Sequence, residues 1–154
     1  MRDITLVEGT NERNVQLVPI ALVGWILPTG HIDVRDEWKN EAEAYDGDLS
    51  TSAGTWVAKY TGGHLVLTLD PPISCSKVRV YAASYHYFEW LDPDLSIDIF
   101  YDGAWRNIWS GLIPKKTWVE IPIPAGTKLV SAARVKGNEI TNTYLYEFNF
   151  WSEG

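Results

Sequence analysis

Polar and apolar positions alternate with a period of two over most of the chain from residue 64 onward, which is the pattern of half-buried β-strands. In Leu65-Val-Leu-Thr-Leu69 the three leucines share a face, and in Lys77-Val-Arg-Val-Tyr81 the pair Val78 and Val80 do. The stretch Leu95-Ser-Ile-Asp-Ile-Phe-Tyr101 sets Leu95, Ile97, Ile99 and Tyr101 toward a core and Ser96 and Asp98 away from it. The pattern predicts strands over residues 56–60, 64–69, 77–83, 95–101, 104–109, 117–123, 128–136 and 144–151, preceded by one or two strands within 16–27 broken near Pro19. Gly62-Gly63, Pro71-Pro72 and Asp102-Gly103 mark turns, and Asp-Gly between two strands is a strong hairpin signal. Only residues 34–44 have helical composition. Residues 1–14 are polar and read as an arm or edge strand, with 15–154 a single domain. Short strands with turns at this spacing predict an all-β fold, an antiparallel β-sandwich of jelly-roll topology.

A length of 154 residues suffices for one domain with a real core and not for two comfortable ones. Eight Trp and eight Tyr against four Phe change the picture, because Trp and Tyr join an apolar body to a polar tip and suit interfaces as well as β-rich cores. The net charge of −7, with no basic run beyond Lys115-Lys116, lacks the footprint a phosphate backbone needs, so nucleic acid is not an expected partner. A single cysteine, Cys75, excludes an internal disulfide and a multi-cysteine zinc site; its small and apolar neighbours predict a buried, inert thiol. The apolar stretch over 15–28 is interrupted by Gln16, Pro19 and Gly24 and is too short to span a bilayer, so no membrane insertion is expected. The first residues do not read as a secretory signal. Location stays open between a cytosolic or virion-associated product and a module excised from a longer exported protein.

Two segments a hundred residues apart carry candidate chemistry. Ala44-Tyr-Asp-Gly-Asp-Leu-Ser-Thr51 is an oxygen-rich turn, and Tyr144-Leu-Tyr-Glu-Phe-Asn-Phe-Trp151 is an alternating strand bearing the carboxylate of Glu147. Calcium takes six to eight oxygen ligands, and such a turn closed by a distant glutamate is one way to supply them. The residues alone also admit an ordinary turn, with Asp46 bonded to its own backbone and Glu147 on an exposed face. If each strand crosses the sandwich once, the loops over 61–63, 85–94, 111–116 and 137–143 gather at one end, and the Asp-Gly-Asp turn, 71–76, 102–103 and 124–127 at the other. The richest loop is 84–94, where Tyr85, Tyr87 and Trp90 can stack on a sugar ring while His86, Glu89 and Asn142 offer hydrogen bonds. Phe88 reads as a core residue.

Enzyme signals are weak. No nucleophile elbow, zinc-protease, phosphate-loop or dinucleotide motif occurs. His31, His64 and His86 fall on separate elements, and His31-Ile-Asp33 reads as part of a turn after Pro28-Thr-Gly. Acidic pairs such as Asp92 and Asp94 are expected by chance among twenty acidic residues.

Several motifs occur in a familiar order: Ala-x-Asp-Gly-Asp-x-x-Thr, a Trp, a Leu-x-Leu-x-Leu strand, Lys-Val-Arg-Val, Tyr101-Asp-Gly-x-Trp105, and a closing Leu-Tyr-Glu-Phe strand. Over residues 40–151 this resembles the discoidin, or coagulation-factor C-type, domains and related carbohydrate-binding modules of the galactose-binding-like fold. The resemblance implies a structural calcium held by the carboxylates of Asp46 and Glu147, the hydroxyl and carbonyl of Thr51, and mainly main-chain carbonyls of Ala44 and Asp48. One departure is that Ser52-Ala-Gly-Thr55 separates Thr51 from Trp56, where the family places its tryptophan a residue or two from the threonine. It also implies that the end carrying residues 85–94 is the ligand face. The expected function is non-catalytic glycan binding. The alternative is a virion or assembly protein that uses the sandwich for self-association as a homo-oligomer or for attachment to a host surface; a small carbohydrate-active enzyme is the third reading.

Overall fold

The computed structural model describes residues 22–56, 63–139 and 141–154. The expected arm over 1–14, the break near Pro19 and residues 57–60 of the expected 56–60 strand lie outside them. Eleven strands are present among the described residues: β1 (Val23–Ile26), β2 (Gly30–Ile32), β3 (Trp38–Lys39), β4 (Ala53–Thr55), β5 (Leu65–His86), β6 (Glu89–Leu91), β7 (Asp94–Tyr101), β8 (Ala104–Leu112), β9 (Val119–Pro122), β10 (Lys128–Gly137) and β11 (Asn142–Glu153). All pair antiparallel, in the order β3-β4-β11-β5-β10-β7-β8, with β1 on β11 and β2, β6 and β9 on β5.

The 22-residue β5 organises the sandwich. Its first part pairs with β2 and β10, forming a back layer with β7 and β8; its second part pairs with β11 and β9, forming a front layer. Pro71-Pro72 therefore lies inside a strand that changes layers and does not end one, correcting the expected turn. Proline is tolerated where a strand leaves regular pairing, and the ladder to β10 skips from Leu67–Thr68 to Ile73 there.

The alternation read from the sequence holds in the core. Leu65, Leu67, Leu69, Val78, Val80, Leu95, Ile97, Ile99 and Tyr101 are buried, and they meet Val130, Val135, Leu145, Phe148 and Phe150 in one cluster. Asp102 and Gly103 both have positive φ (51° and 77°), the hairpin geometry expected between β7 and β8. The helical reading of 34–44 is not met. That stretch contains a turn, the two-residue β3 and a 3-10 turn at Glu41–Tyr45, because the Asp33 carboxylate accepts from the Glu37 and Trp38 amides and draws the chain round. His31 lies in β2 opposite Leu67, with Nδ1 2.7 Å from the Tyr45 hydroxyl, so it belongs to a strand and not to a turn. Cys75 is buried, and burial pushes its thiol up to about 11.

Candidate functional site

Glu147 sits where β11 changes phase. The register shifts between Leu145 and Glu147, so Leu145 faces the core opposite Ala82 while Glu147 is opposite Tyr81. Without that bulge a strict alternation would send both residues to one side. Though it is off the core, the Glu147 side chain is only 2% exposed, because the turn after the 3-10 segment covers it. The Gly47 amide donates to its Oε2 at 2.7 Å and the Asn149 side chain to its Oε1 at 3.1 Å. Burial pushes its carboxyl up to about 7; the Gly47 and Asn149 bonds work against that rise, and the Asp46 carboxylate against it adds to it.

The turn itself is wound on its own carboxylates. Asp46 accepts from the Asp48 amide at 3.0 Å and the Thr51 hydroxyl at 2.5 Å. Asp48 turns its carboxylate to Ser50, accepting at 2.8 Å from the amide and 2.6 Å from the hydroxyl, and these bonds hold Asp48 below the usual range. Ala44 is buried at the foot of the turn. Of the ordinary-turn reading one part is met and one is not: Asp46 does bond its own backbone, but Glu147 is enclosed, not exposed. Asp46, Thr51 and Glu147 are brought together, and Asp48 leaves only its carbonyl toward Thr51. A separate acidic group, Asp33, Asp36 and Glu41, lies nearer the surface and is partly spent on the Asp33 turn.

At the end of the sandwich, 84–94 is a strand extension and hairpin, not a loop. Tyr85 pairs with Trp90, and His86 with Glu89. Tyr87 and Phe88 form the tip, both with positive φ (49° and 64°), a costly conformation for bulky residues. They are 82% and 94% exposed, so Phe88 is a surface residue and the core assignment fails. The reason is the two-residue hairpin: its tip has no facing layer to pack against.

Trp90, 37% exposed, packs edge-on to Tyr85 and Tyr144, and the Lys116 ammonium lies 3.8 Å from its ring centroid. Asn142 pairs opposite Tyr85. The Ile113, Lys115, Lys116 and Asn138 amides bond to Pro93, Asp92, Ala82 and Asp94, drawing the chain over 111–116 and 137–143 to this same end. Tyr85, Trp90 and Asn142 are therefore brought together; His86 and Glu89 stand a step outward, and Tyr87 at the tip.

Sequence reasoning missed two neighbours. Tyr144 extends the aromatic group, and Trp56, 60% exposed, closes a cavity of about 300 Å3 with Tyr144, Lys39, Asn40 and Thr51. Gly54 is what lets Tyr144 lie there, since a Cβ at that position would stand 3.0 Å from two ring carbons. The signal was present as Gly54 beside an aromatic strand, but it needs the β4–β11 register to be read.

The sequence matches no protein-family model and no curated protein. Solved structures are similar over 77–88% of the chain. The family 32 carbohydrate-binding module of NanJ from Clostridium perfringens, solved with galactose, is 11% identical and superposes with a TM-score of 0.60 over 85% of this chain and 100% of its own. An F5/8 type C domain from Bacteroides fragilis is 17% identical, with a TM-score of 0.57 over 81% of this chain and 98% of its own. The protein has the galactose-binding-like fold. A chitosan-binding module from Paenibacillus sp. IK-5 shares it, at 14% identity and a TM-score of 0.61 over 82% of this chain and 96% of its own. In this fold the aromatic hairpin stands at an end of the sandwich, and the carboxylate turn lies on the side of β11.

Proposed function

We propose that the protein is a non-catalytic glycan-binding module. The observation that carries this reading is the convergence of Tyr85, Trp90, Tyr144, Trp56 and Asn142 at one end of a fold whose solved neighbours include modules holding or named for sugars. Aromatic faces take up the C–H surface of a pyranose, and Asn142, Glu89 and His86 stand within the same hairpin region to select hydroxyls. Trp90 is held by Lys116, Tyr85 and Tyr144, so its ring is fixed before ligand arrives and little entropy is lost on binding.

A structural calcium ion belongs to the same proposal. The donor set of Asp46, Glu147, the Thr51 hydroxyl and the Asp48 carbonyl is made of oxygen alone and includes a buried carboxylate beside a second one, which suits a hard cation. When bound, the ion would neutralise that pair. Asp46 and Glu147 would tie the turn over 46–51 to β11.

A glycan-array screen of the calcium-loaded protein, with oligomeric state recorded alongside, tests the function. Reproducible hits on one sugar class that weaken about tenfold or more in Trp90→Ala support it; hits unaffected by that substitution place the site elsewhere. The assembly reading has one observation of its own, an open apolar groove of about 410 Å3 formed by Leu22, Pro71, Pro72, Ile73 and Leu129 at the opposite end. A blank array from a well-folded, concentration-dependent oligomer would favour it. For the ion, melting temperatures in calcium and after thorough chelation should differ, since a ligand bound only by the native state raises stability by about 2.7 kcal/mol at a hundredfold excess over Kd.

A further inference from the structure

The two ends of the sandwich carry apolar features of opposite shape. At one end, Tyr87 and Phe88 form the two-residue tip between β5 and β6, with φ of 49° and 64°. A hairpin turn with two positive φ angles is the place for Asn-Gly or Asp-Gly, so bulky aromatic residues there run against local preference. Local geometry therefore does not account for the pair. The Tyr87 ring packs on His86 at a centroid distance of 4.0 Å, which leaves Phe88 leading the tip at 94% exposure.

At the other end, Leu22, Ile26, Pro71, Pro72, Ile73 and Leu129 form a groove of about 410 Å3. No charged side chain lines it among the described residues. Leu22 and Leu129 are 70% and 65% exposed, so most of their apolar surface is left to solvent. Proline rings offer a rigid surface that aromatic side chains pack against well. The groove is built by the sheet: β10 on β5 sets Leu129 opposite Ser74, and β1 on β11 brings Leu22 to the same end. The tip cannot reach this groove in its own chain. From Ser74 to His86 is 12 steps along β5, roughly 40 Å at about 3.3 Å per residue.

We propose that Tyr87 and Phe88 of one copy seat in the groove of the next, so that the protein associates head to tail. The two surfaces differ, so the contact is heterologous: each added copy brings a new free tip or groove, and growth ends only if a ring closes. Two aromatic side chains bring roughly 300–500 Å2 and the groove a comparable area, so the total of roughly 600–1,000 Å2 falls below the about 1,200 Å2 of stable interfaces. The contact is therefore weak and reversible between free copies. Each copy carries a net charge of −7, so added salt screens the repulsion between copies and strengthens the association. A lipid surface would also take an aromatic tip, but it would make no use of the groove. Self-association of this kind is independent of sugar binding, and a blank glycan array leaves it standing.

The test is sedimentation equilibrium of the full chain from about 20 µM to about 1 mM, a range suited to an interface this small. The weight-average mass should rise above that of one chain across the range, and rise further when salt is raised from about 0.15 M to about 0.5 M. Phe88→Asp and Leu129→Asp change exposed side chains, so both should fold, and each should weaken association about tenfold or more and stay monomeric alone. Mixed in equal amounts, the two variants should pair as a dimer and stop, because each pair holds one intact tip and one intact groove. A symmetric contact gives no such complementation. A parent that is monomeric at the top of the range, association that persists in either variant alone, a mass that falls with salt, or a mixture that stays monomeric would each overturn the proposal. Phosphatidylcholine vesicles that bind the monomeric parent but not Phe88→Asp would overturn it and assign the tip to a lipid surface. A monomeric parent whose melting temperature drops in Leu129→Asp would overturn it in favour of a groove filled from within the same chain.

Discussion

Removing the charge of Glu147 should stabilise the calcium-free protein at neutral pH and do almost nothing at acid pH. The carboxyl is enclosed beside Asp46 and pushed up to about 7, against an ordinary value of 4.5. A group whose folded value is raised binds its proton more tightly in the folded state, so ionising it costs stability as pH climbs. Below 4.5 both states are protonated and there is no effect. Between 4.5 and 7 the unfolded chain ionises while the folded one does not, and each unit costs about 1.4 kcal/mol. Over 2.5 units the loss reaches about 3 kcal/mol, complete by pH 8. Glu147→Gln keeps an acceptor for the Gly47 amide and removes the charge. In chelator it should therefore exceed the parent by about 3 kcal/mol at pH 8, about 6–12 °C in melting temperature for a chain this size, and match it within about 1 kcal/mol at pH 5. Saturating calcium should reverse the order at pH 8, because only the parent keeps the carboxylate. Thermal melts followed by tryptophan fluorescence at both pH values, with and without calcium, read all four states. A parent whose stability in chelator is flat from pH 5 to 8, or a Gln variant less stable than the parent at pH 8 in chelator, would refute the reasoning.

Four further outcomes are expected. Phe150→Ala opens the core where Phe150 meets Phe148 and should cost about 3–5 kcal/mol in urea unfolding, with an unchanged m-value. Gly54→Ala drives a Cβ toward the Tyr144 ring and should cost about 1–3 kcal/mol while changing the fluorescence response to glycan, because Tyr144 must move off β4. Replacing Tyr87-Phe88 by Asn-Gly relieves two left-handed aromatic residues and should raise stability by about 1 kcal/mol or more; a loss of stability would show that the tip is held by contacts. Cys75, pushed up to about 11, should react with a thiol reagent at pH 8 only as fast as the protein unfolds.

Core positions were legible because a strand has a fixed period and a half-buried sheet enforces it. Leu95, Ile97, Ile99 and Tyr101 could be assigned to one face before any pairing was known, and they are buried. Pro71-Pro72 was misread because two prolines in a row carry a turn signal whether the chain stops or only bends. What decides between these is the partner on either side, here β2 and β10 before the prolines, β10 again over Ile73–Cys75, and β11 and β9 from there on. The same limit governs the sites. Asp46 and Glu147 could be joined by resemblance, yet the burial of Glu147 depends on a one-residue bulge that no local pattern records. Strand parity brings 85–94, 111–116 and 137–143 to one end, since a bent strand still carries the chain across the sandwich twice in opposite senses, but it misplaces the Asp-Gly-Asp turn, which lies along the side of β11 with Thr51 in the same cavity as Trp56 and Tyr144.

The surplus of tryptophan and tyrosine can now be divided between packing and recognition. Trp38 is fully buried, its indole N–H given to the Gly63 carbonyl at 3.3 Å. On the outer face of the front layer, Trp151, Trp25, Trp118, Tyr81 and Tyr146 form a ladder interleaved with cations: Lys77 lies over Trp25 and Trp151, and Arg79 stands 4.5 Å from Trp25 and 4.0 Å from Trp118. Each such cation–π contact contributes about 0.5–2 kcal/mol, and it occupies a ring face that a sugar would need. This ladder therefore reads as surface structure. Trp56 differs, being mostly exposed in a cavity floored by Tyr144; Trp90 also carries a cation, Lys116 at 3.8 Å, but stands at the hairpin end against Tyr85 and Tyr144 and is still 37% exposed. A tryptophan-by-tryptophan comparison should therefore separate the two groups: Trp118→Ala should act chiefly on stability, while Trp56→Ala should act chiefly on glycan affinity. Affinity that falls for Trp118→Ala without a loss of stability would move the ligand onto the sheet face.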